Sequence, residues 1–261
     1  MTDSGPAEGD PVVLLHGFPQ RATSWRHVTP LLHAAGLRTY APDLRGYSPG
    51  ARPGRRRDYA VPRLLEDLVA LVEDIGHPVH LVGHDWGAVV GWAAAAERPE
   101  LLRTYTAVSV PHPRAFLDAC RRGDQLLRSW YVAAFQLPWL PERVLASPLG
   151  RRSLRRSGMT EEALARFDSE VVADGALSEA LGFYRALPLT PPGRTTRRVT
   201  VPTTLVWSDG DMALSRVGAE RCGRYVAAPY HFVALEGISH WIPEEAPRAL
   251  ADAVLARVGP A

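Results

Sequence analysis

Short aliphatic runs alternate along the chain with longer segments of helical period. Val12–Leu15 is an uninterrupted aliphatic run that ends in His16-Gly17-Phe18-Pro19. From Thr23 to Ala35 apolar and aromatic residues recur at helical spacing, and Thr39–Ala41 closes a second strand. Val61–Ile75 mixes apolar and acidic residues with a period of about 3.6, which predicts an amphipathic helix, and Val79–Val82 follows as a buried strand. Trp86–Ala96 is apolar on all sides, as a helix packed between a sheet and its surroundings must be, and Tyr105–Val110 reads as the next strand. This alternation predicts an α/β architecture with a parallel sheet flanked by helices.

From Pro111 to Arg198 the pattern changes. Helical pieces are broken by Pro138, Pro141, Pro148, Pro188, Pro191 and Pro192, and no strand is evident. Short strands resume at Pro202–Trp207 and His231–Leu235, and Pro247–Val258 is a closing amphipathic helix. The expected organisation is therefore a core of residues 1–110 and 199–261 interrupted by a helical insertion, 111–198. Only eleven mostly polar residues precede Val12, so no strand is expected there. Two expectations follow: either the exposed sheet edge is tolerated, with pairing in a homodimer as its protection, or the true start of the chain lies upstream.

Composition narrows the function classes. Of 261 residues, 46% are apolar, enough for a sizeable core, and 30 basic against 28 acidic residues give a net charge of +2, too balanced for a nucleic-acid footprint. Every basic residue is Arg, with no Lys and no Asn in the chain, as a GC-rich bacterial genome would produce. Arginine enrichment thus carries no weight as a sign of anion binding, and the runs Arg55-Arg56-Arg57 and Arg151-Arg152 to Arg155-Arg156 are read as solvated faces. Cys120 and Cys222 lie far apart without metal or redox spacing, so two free thiols and no metal site are expected. With a polar start and no apolar run near the roughly twenty residues that span a bilayer, a cytoplasmic protein with no membrane partner is expected.

The chemistry concentrates at Gly83-His84-Asp85-Trp86-Gly87, directly after a strand. Small residues on either side of a central nucleophile suit a sharp strand-to-helix turn that lifts one side chain clear of the sheet. The residue lifted here is Asp85. A carboxylate attacks a saturated, electrophilic carbon and is left as an alkyl ester, which water must then hydrolyse. That second step needs a base oriented by a third group, and Asp85, Asp211 and His240 stand in the order nucleophile, acid, histidine, each just beyond an expected strand. Asp209 competes with Asp211 for the acid role, and the register of the motif favours Asp211.

With these motifs in place, the chain from Pro11 onward resembles the α/β-hydrolases of the epoxide hydrolase and haloalkane dehalogenase group. The resemblance rests on His16-Gly17-Phe18-Pro19, Asp43-Leu44-Arg45-Gly46-Tyr47-Ser48, the Asp85 elbow, and the Asp211 and His240 segments. It implies the α/β-hydrolase fold with 111–198 as a helical cap, and an oxyanion hole from the backbone N–H groups of Phe18 and Trp86. The strand pair that usually opens this fold is not expected here. His84 and an Asp43–Arg45 pair are read as architectural.

Ser129-Trp130-Tyr131-Val132-Ala133-Ala134-Phe135 resembles the cap motif of epoxide hydrolases, which makes Tyr131 a candidate ring-opening phenol, with Tyr184 in Gly182-Phe183-Tyr184-Arg185 as the second. Trp130, Phe135, Trp139, Phe183 and Trp241 are expected to line an apolar pocket. The implied reaction takes a small apolar epoxide and water to a vicinal diol without a cofactor. A haloalkane dehalogenase using the same nucleophile is the alternative, and a non-hydrolytic biosynthetic enzyme on this fold is a third. No Arg stands beside Asp85, which disfavours the fluoroacetate-type dehalogenases.

Overall fold

The computed structural model describes residues 1–190 and 196–259; Pro191 and Pro192, read above as helix breakers, lie outside the described residues. Seven strands form one sheet: β1 (Thr2–Ser4), β2 (Asp10–Leu15), β3 (Leu37–Ala41), β4 (Val79–His84), β5 (Leu102–Val108), β6 (Thr203–Ser208) and β7 (Tyr230–Leu235). Their spatial order is β1-β3-β2-β4-β5-β6-β7, and every pairing is parallel except that of β1 with β3.

Alternate side chains of a central strand enter different cores. Val13 and Leu15 join Leu81, Ala107 and Leu205 on one face, while Val12 and Leu14 join Val82, Val108 and Val206 on the other. Because both faces are buried, these strands read as continuous aliphatic runs rather than alternating ones. Each fully buried Val or Leu contributes about 1.5–3 kcal/mol relative to exposure.

The helices on the first half are α1 (Thr29–Ala34), α2 (Val61–Ile75) and α3 (Trp86–Glu97). Helix α2 buries Leu64, Leu65, Leu68 and Val72, one stripe at helical spacing, and stops at Gly76, whose φ of 89° suits glycine. Two expectations are corrected here. The helix expected over Thr23–Ala35 is instead a 3₁₀ turn, Ala22–Trp25, followed by α1. Pro30, in the first turn of α1, lacks an N–H and would clash with the preceding turn, so the helix must begin anew there. The residues before Val12 do form strand: Asp10 and Pro11 extend β2, and β1 adds an edge. β1 carries no apolar signal because polar contacts hold it, including Arg38 to both carboxylate oxygens of Asp3 at 2.8 and 2.7 Å.

Between β5 and β6 the described chain is helical: α4 (Pro113–Arg122), α5 (Gln125–Arg128), α6 (Trp130–Ala134), α7 (Leu140–Leu145), α8 (Pro148–Arg156), α9 (Glu161–Arg166), a π-helical turn Phe167–Ala173, α10 (Leu177–Ala180) and α11 (Gly182–Ala186). After β6 come α12 (Arg216–Arg221), α13 (Ile242–Glu245) and α14 (Pro247–Val258). Polar contacts tie the helical segment to the loops at the strand ends. Asp174 takes Arg21 and Arg52, Glu162 takes Arg26 at 2.9 Å, Glu170 accepts the Thr23 hydroxyl at 2.6 Å, and Tyr59 donates to Glu179. Arg45 pairs with Asp67 on α2 at 2.8 and 2.5 Å, not with Asp43, whose carboxylate accepts the Ala22 N–H at 3.0 Å. A neighbour in sequence was the expected partner; the fold brings a helix face closer. Among the described residues no helix is long and apolar enough to cross a membrane.

Candidate active site

Asp85 sits between β4 and α3 with φ 52° and ψ −115°, a sparsely populated conformation for a non-glycine residue that costs about 1–3 kcal/mol. Its neighbours permit the turn. A Cβ on Gly87 would stand 2.1 Å from the backbone oxygen of Leu15 in the adjacent strand, and one on Gly17 would stand 2.3 Å from the Asp85 Cβ. The close approach at Gly17 brings the following residue into contact: the Phe18 N–H donates to Asp85 Oδ1 at 2.7 Å. Trp86 opens α3, so its N–H belongs to the first turn and has no partner within the helix.

The Phe18 loop is held by His16. Burial lowers its pKa to about 4, so the ring is neutral; Nε2 accepts the Leu44 N–H at 2.9 Å and Nδ1–H donates to the Gly17 carbonyl at 3.2 Å.

His240 lies across from Asp85, its Nε2 3.6 Å from Asp85 Oδ2, and its Nδ1 donates to Asp211 Oδ2 at 2.7 Å. Asp211 is fully buried, and its other oxygen accepts the Ala213 and Leu214 N–H groups at 2.7 and 2.9 Å. Asp209 instead is exposed and accepts the Gly237 N–H at 2.8 Å, a loop contact away from His240. Burial pulls the His240 pKa down, but the charge and hydrogen bond of Asp211, together with Asp85, raise it to about 10. Burial likewise pushes Asp85 up, but the hydrogen bond and charge of His240, together with the Phe18 N–H, outweigh it and leave the carboxyl below its ordinary value.

Two residues without a catalytic role in the sequence reading fix the His240 backbone. His84 Nε2 donates to the His240 carbonyl at 2.9 Å and Ser109 Oγ donates to the same oxygen at 3.2 Å. Burial first, then the charge of His240, lowers His84 to about 4, which keeps it neutral beside the imidazolium. Ser109 carries no local signal in the sequence, since its role depends on β5 lying beside β4 so that both strand ends meet the His240 loop.

A cavity of about 610 Å³ opens at Asp85 and His240 beneath the helical segment. Tyr131 and Tyr184 both line it, with ring centroids 6.0 Å apart. Burial and the nearby Asp85 charge raise both phenols above their ordinary pKa, so they remain protonated donors. Of the expected pocket residues, Trp130, Phe135 and Trp241 line the cavity, and Trp139 and Phe183 do not. Trp139 is 60% exposed under the Arg143 guanidinium, and Phe183 is buried in the core against Trp86, Tyr47 and Tyr59. Aromatic character alone could not separate a wall from a core or a surface. Trp86 is buried edge-on to Tyr184, outside the cavity lining.

The model of the alpha/beta hydrolase family matches residues 12–253. The chain belongs to that family. It is 32% identical to an AB hydrolase superfamily protein of Bacillus subtilis, over 97% of this chain and 91% of the relative. It is 30% identical to epoxide hydrolase A of Mycobacterium tuberculosis, over 98% and 92%. The crystal structure of epoxide hydrolase A from Mycobacterium thermoresistibile superposes with a TM-score of 0.83 at 27% identity, covering 98% of this chain and 93% of that one.

Proposed function

We propose that this family member is an epoxide hydrolase that opens an apolar epoxide to a vicinal diol through an ester on Asp85, with residues 111–198 as the cap. The observation that carries the reading is one cavity bounded by a carboxylate, a histidine and two protonated phenols. Relatives named as epoxide hydrolases support ring opening as the reaction. Apolar side chains, including Leu140, Val144, Leu145 and Met212, dominate the lining, which suits an apolar substrate body.

The steps follow from the two oxygens of Asp85. Oδ1 is engaged by the Phe18 N–H, so Oδ2 attacks the epoxide carbon. The ring C–O bond breaks towards oxygen, and Tyr131 or Tyr184 transfers its phenolic proton to give the first hydroxyl. Ester formation cancels the Asp85 charge, one of two carboxylates that hold the proton on His240. That proton passes to the phenolate, and His240 becomes the neutral base.

His240 then deprotonates a water, and the hydroxide attacks the Asp85 carboxyl carbon. The oxyanion forms on Oδ1, already facing the Phe18 N–H, with the Trp86 N–H as the second donor; one such donor is worth about 3 kcal/mol of barrier. The acyl C–O bond breaks, and the departing alkoxide takes the remaining proton of the attacking hydroxide. The diol leaves with Asp85 ionised and His240 protonated again.

A chloride or bromide leaving group would need donors but no proton transfer, and the Trp86 indole that could serve it stands outside the cavity. The test is a single turnover of a simple epoxide in ¹⁸O-water. The label is expected in the carboxylate of Asp85 and not in the first diol released. A labelled diol with unlabelled Asp85 would mean direct attack by water and overturn the covalent route.

A further inference from the structure

The arginine run Arg151-Arg152 to Arg155-Arg156 divides in the fold. Arg151 and Arg155 lie on one face of α8 and are neutralised, Arg151 by Asp168 and by Glu161 at 3.3 Å, and Arg155 by Glu161. Arg152 and Arg156, one turn apart on the neighbouring face, line the catalytic cavity while remaining exposed, which places them at its solvent end. No acidic partner faces either of them among the described residues.

Among all the residues lining that cavity the only carboxylate is Asp85, the nucleophile at its floor. The third arginine of the wall, Arg128, is engaged by Asp124 at 2.7 Å and by the Asp211 carbonyl at 2.7 Å. The negative end of the helix dipole accounts for a cation at Arg156 in the last turn of α8, but not for one at Arg152, a turn earlier. Two like charges four residues apart on a helix repel each other, so the pair is unfavourable until an anion joins it.

We infer that Arg152 and Arg156 form an anion-recognising rim, and that the preferred substrate is amphipathic: an apolar chain carrying the epoxide at one end and a carboxylate at the other. The inference rests on the epoxide hydrolase reading and names the substrate class within it. The apolar walls between Asp85 and the rim take the chain, and the paired guanidiniums take the carboxylate by charge-assisted hydrogen bonds.

The experiment compares kcat/KM for a homologous series of ω-epoxy carboxylates with that for their methyl esters, in the wild type and in R152Q/R156Q. At the chain length that spans cavity and rim, the acid is expected to exceed its ester about fivefold, the scale of two exposed ion pairs. The advantage should shrink with added salt and fall close to one in the double variant. R152K/R156K, which keeps both charges, should retain much of it, and Arg155→Gln, which removes a paired arginine of the same helix, should leave the ratio at its wild-type value. Turnover of the esters with no acid preference, or a preference that survives R152Q/R156Q or disappears in Arg155→Gln, would overturn the rim and leave the epoxide hydrolase reading standing. A folded wild type that turns over neither acids nor esters would overturn both.

Discussion

At the scale of single residues, the site is governed by charges held where they would not otherwise stay. His240 keeps a proton because Asp211 and Asp85 outweigh its burial, which gives its contribution to stability a definite sign. A group whose folded pKa is raised stabilises fully below its unfolded value, near 6.5, and loses that stabilisation as pH climbs through the folded value of about 10. Thermal melts of the wild type should therefore lose stability relative to His240→Gln between those limits; parallel profiles would show that the proton is not held. Replacing Tyr131 and Tyr184 together by Phe removes both phenols proposed to protonate the ring oxygen. Epoxide turnover is expected to fall by about 10²-fold or more, the usual worth of general acid catalysis, while the variant keeps its fold by circular dichroism. That Asp85, Asp211 and His240 lie together was legible, because the elbow spacing and chain order are local or one-dimensional signals. His84 and Ser109, which clamp the His240 carbonyl, and Asp67 as the partner of Arg45 were not, because only tertiary proximity defines them.

Among elements, the β4–α3 turn carries the strictest demand. Its glycines are required by backbone that cannot retreat: a methyl at Gly87 meets the Leu15 carbonyl of a central strand at 2.1 Å. Gly87→Ala should cost about 1–3 kcal/mol or more by overpacking, read from the urea midpoint. Gly50→Ala, with nothing within 4 Å of the new methyl, should stay within about 0.5 kcal/mol of wild type. The same logic explains which elements the sequence disclosed. Central strands buried on both faces and the amphipathic α2 announce themselves by hydrophobic pattern, whereas β1, held by the backbone ladder and by Arg38 with Asp3, has none. The break before α1 was marked by Pro30, but the apolar spacing on either side masked it.

At the scale of the whole molecule, the helical segment is fastened to the sheet by polar contacts as well as by shared core. Asp174 takes two arginines from the loops beneath it. Arg52, its largest influence, and then Arg21 overcome partial burial and hold its carboxyl below the ordinary value, so the tie is fully present above the usual carboxylate pKa and released as pH falls through the lowered one. Asp174→Ala should speed hydrogen exchange in residues 161–189 while shifting global stability by no more than about 1 kcal/mol, as exposed ion pairs do. Unchanged exchange would mean that the Asp174 tie does not fasten the segment. The central claim, that Asp85 forms an ester with an opened epoxide, is tested most directly by intact-protein mass spectrometry of His240→Gln exposed to an epoxide. Without its base the enzyme should accumulate an adduct equal in mass to the whole epoxide, mapping to the peptide that carries Asp85 and missing from Asp85→Ala. A folded His240→Gln protein that turns over epoxide with no adduct, or an adduct that persists in Asp85→Ala, would contradict the account.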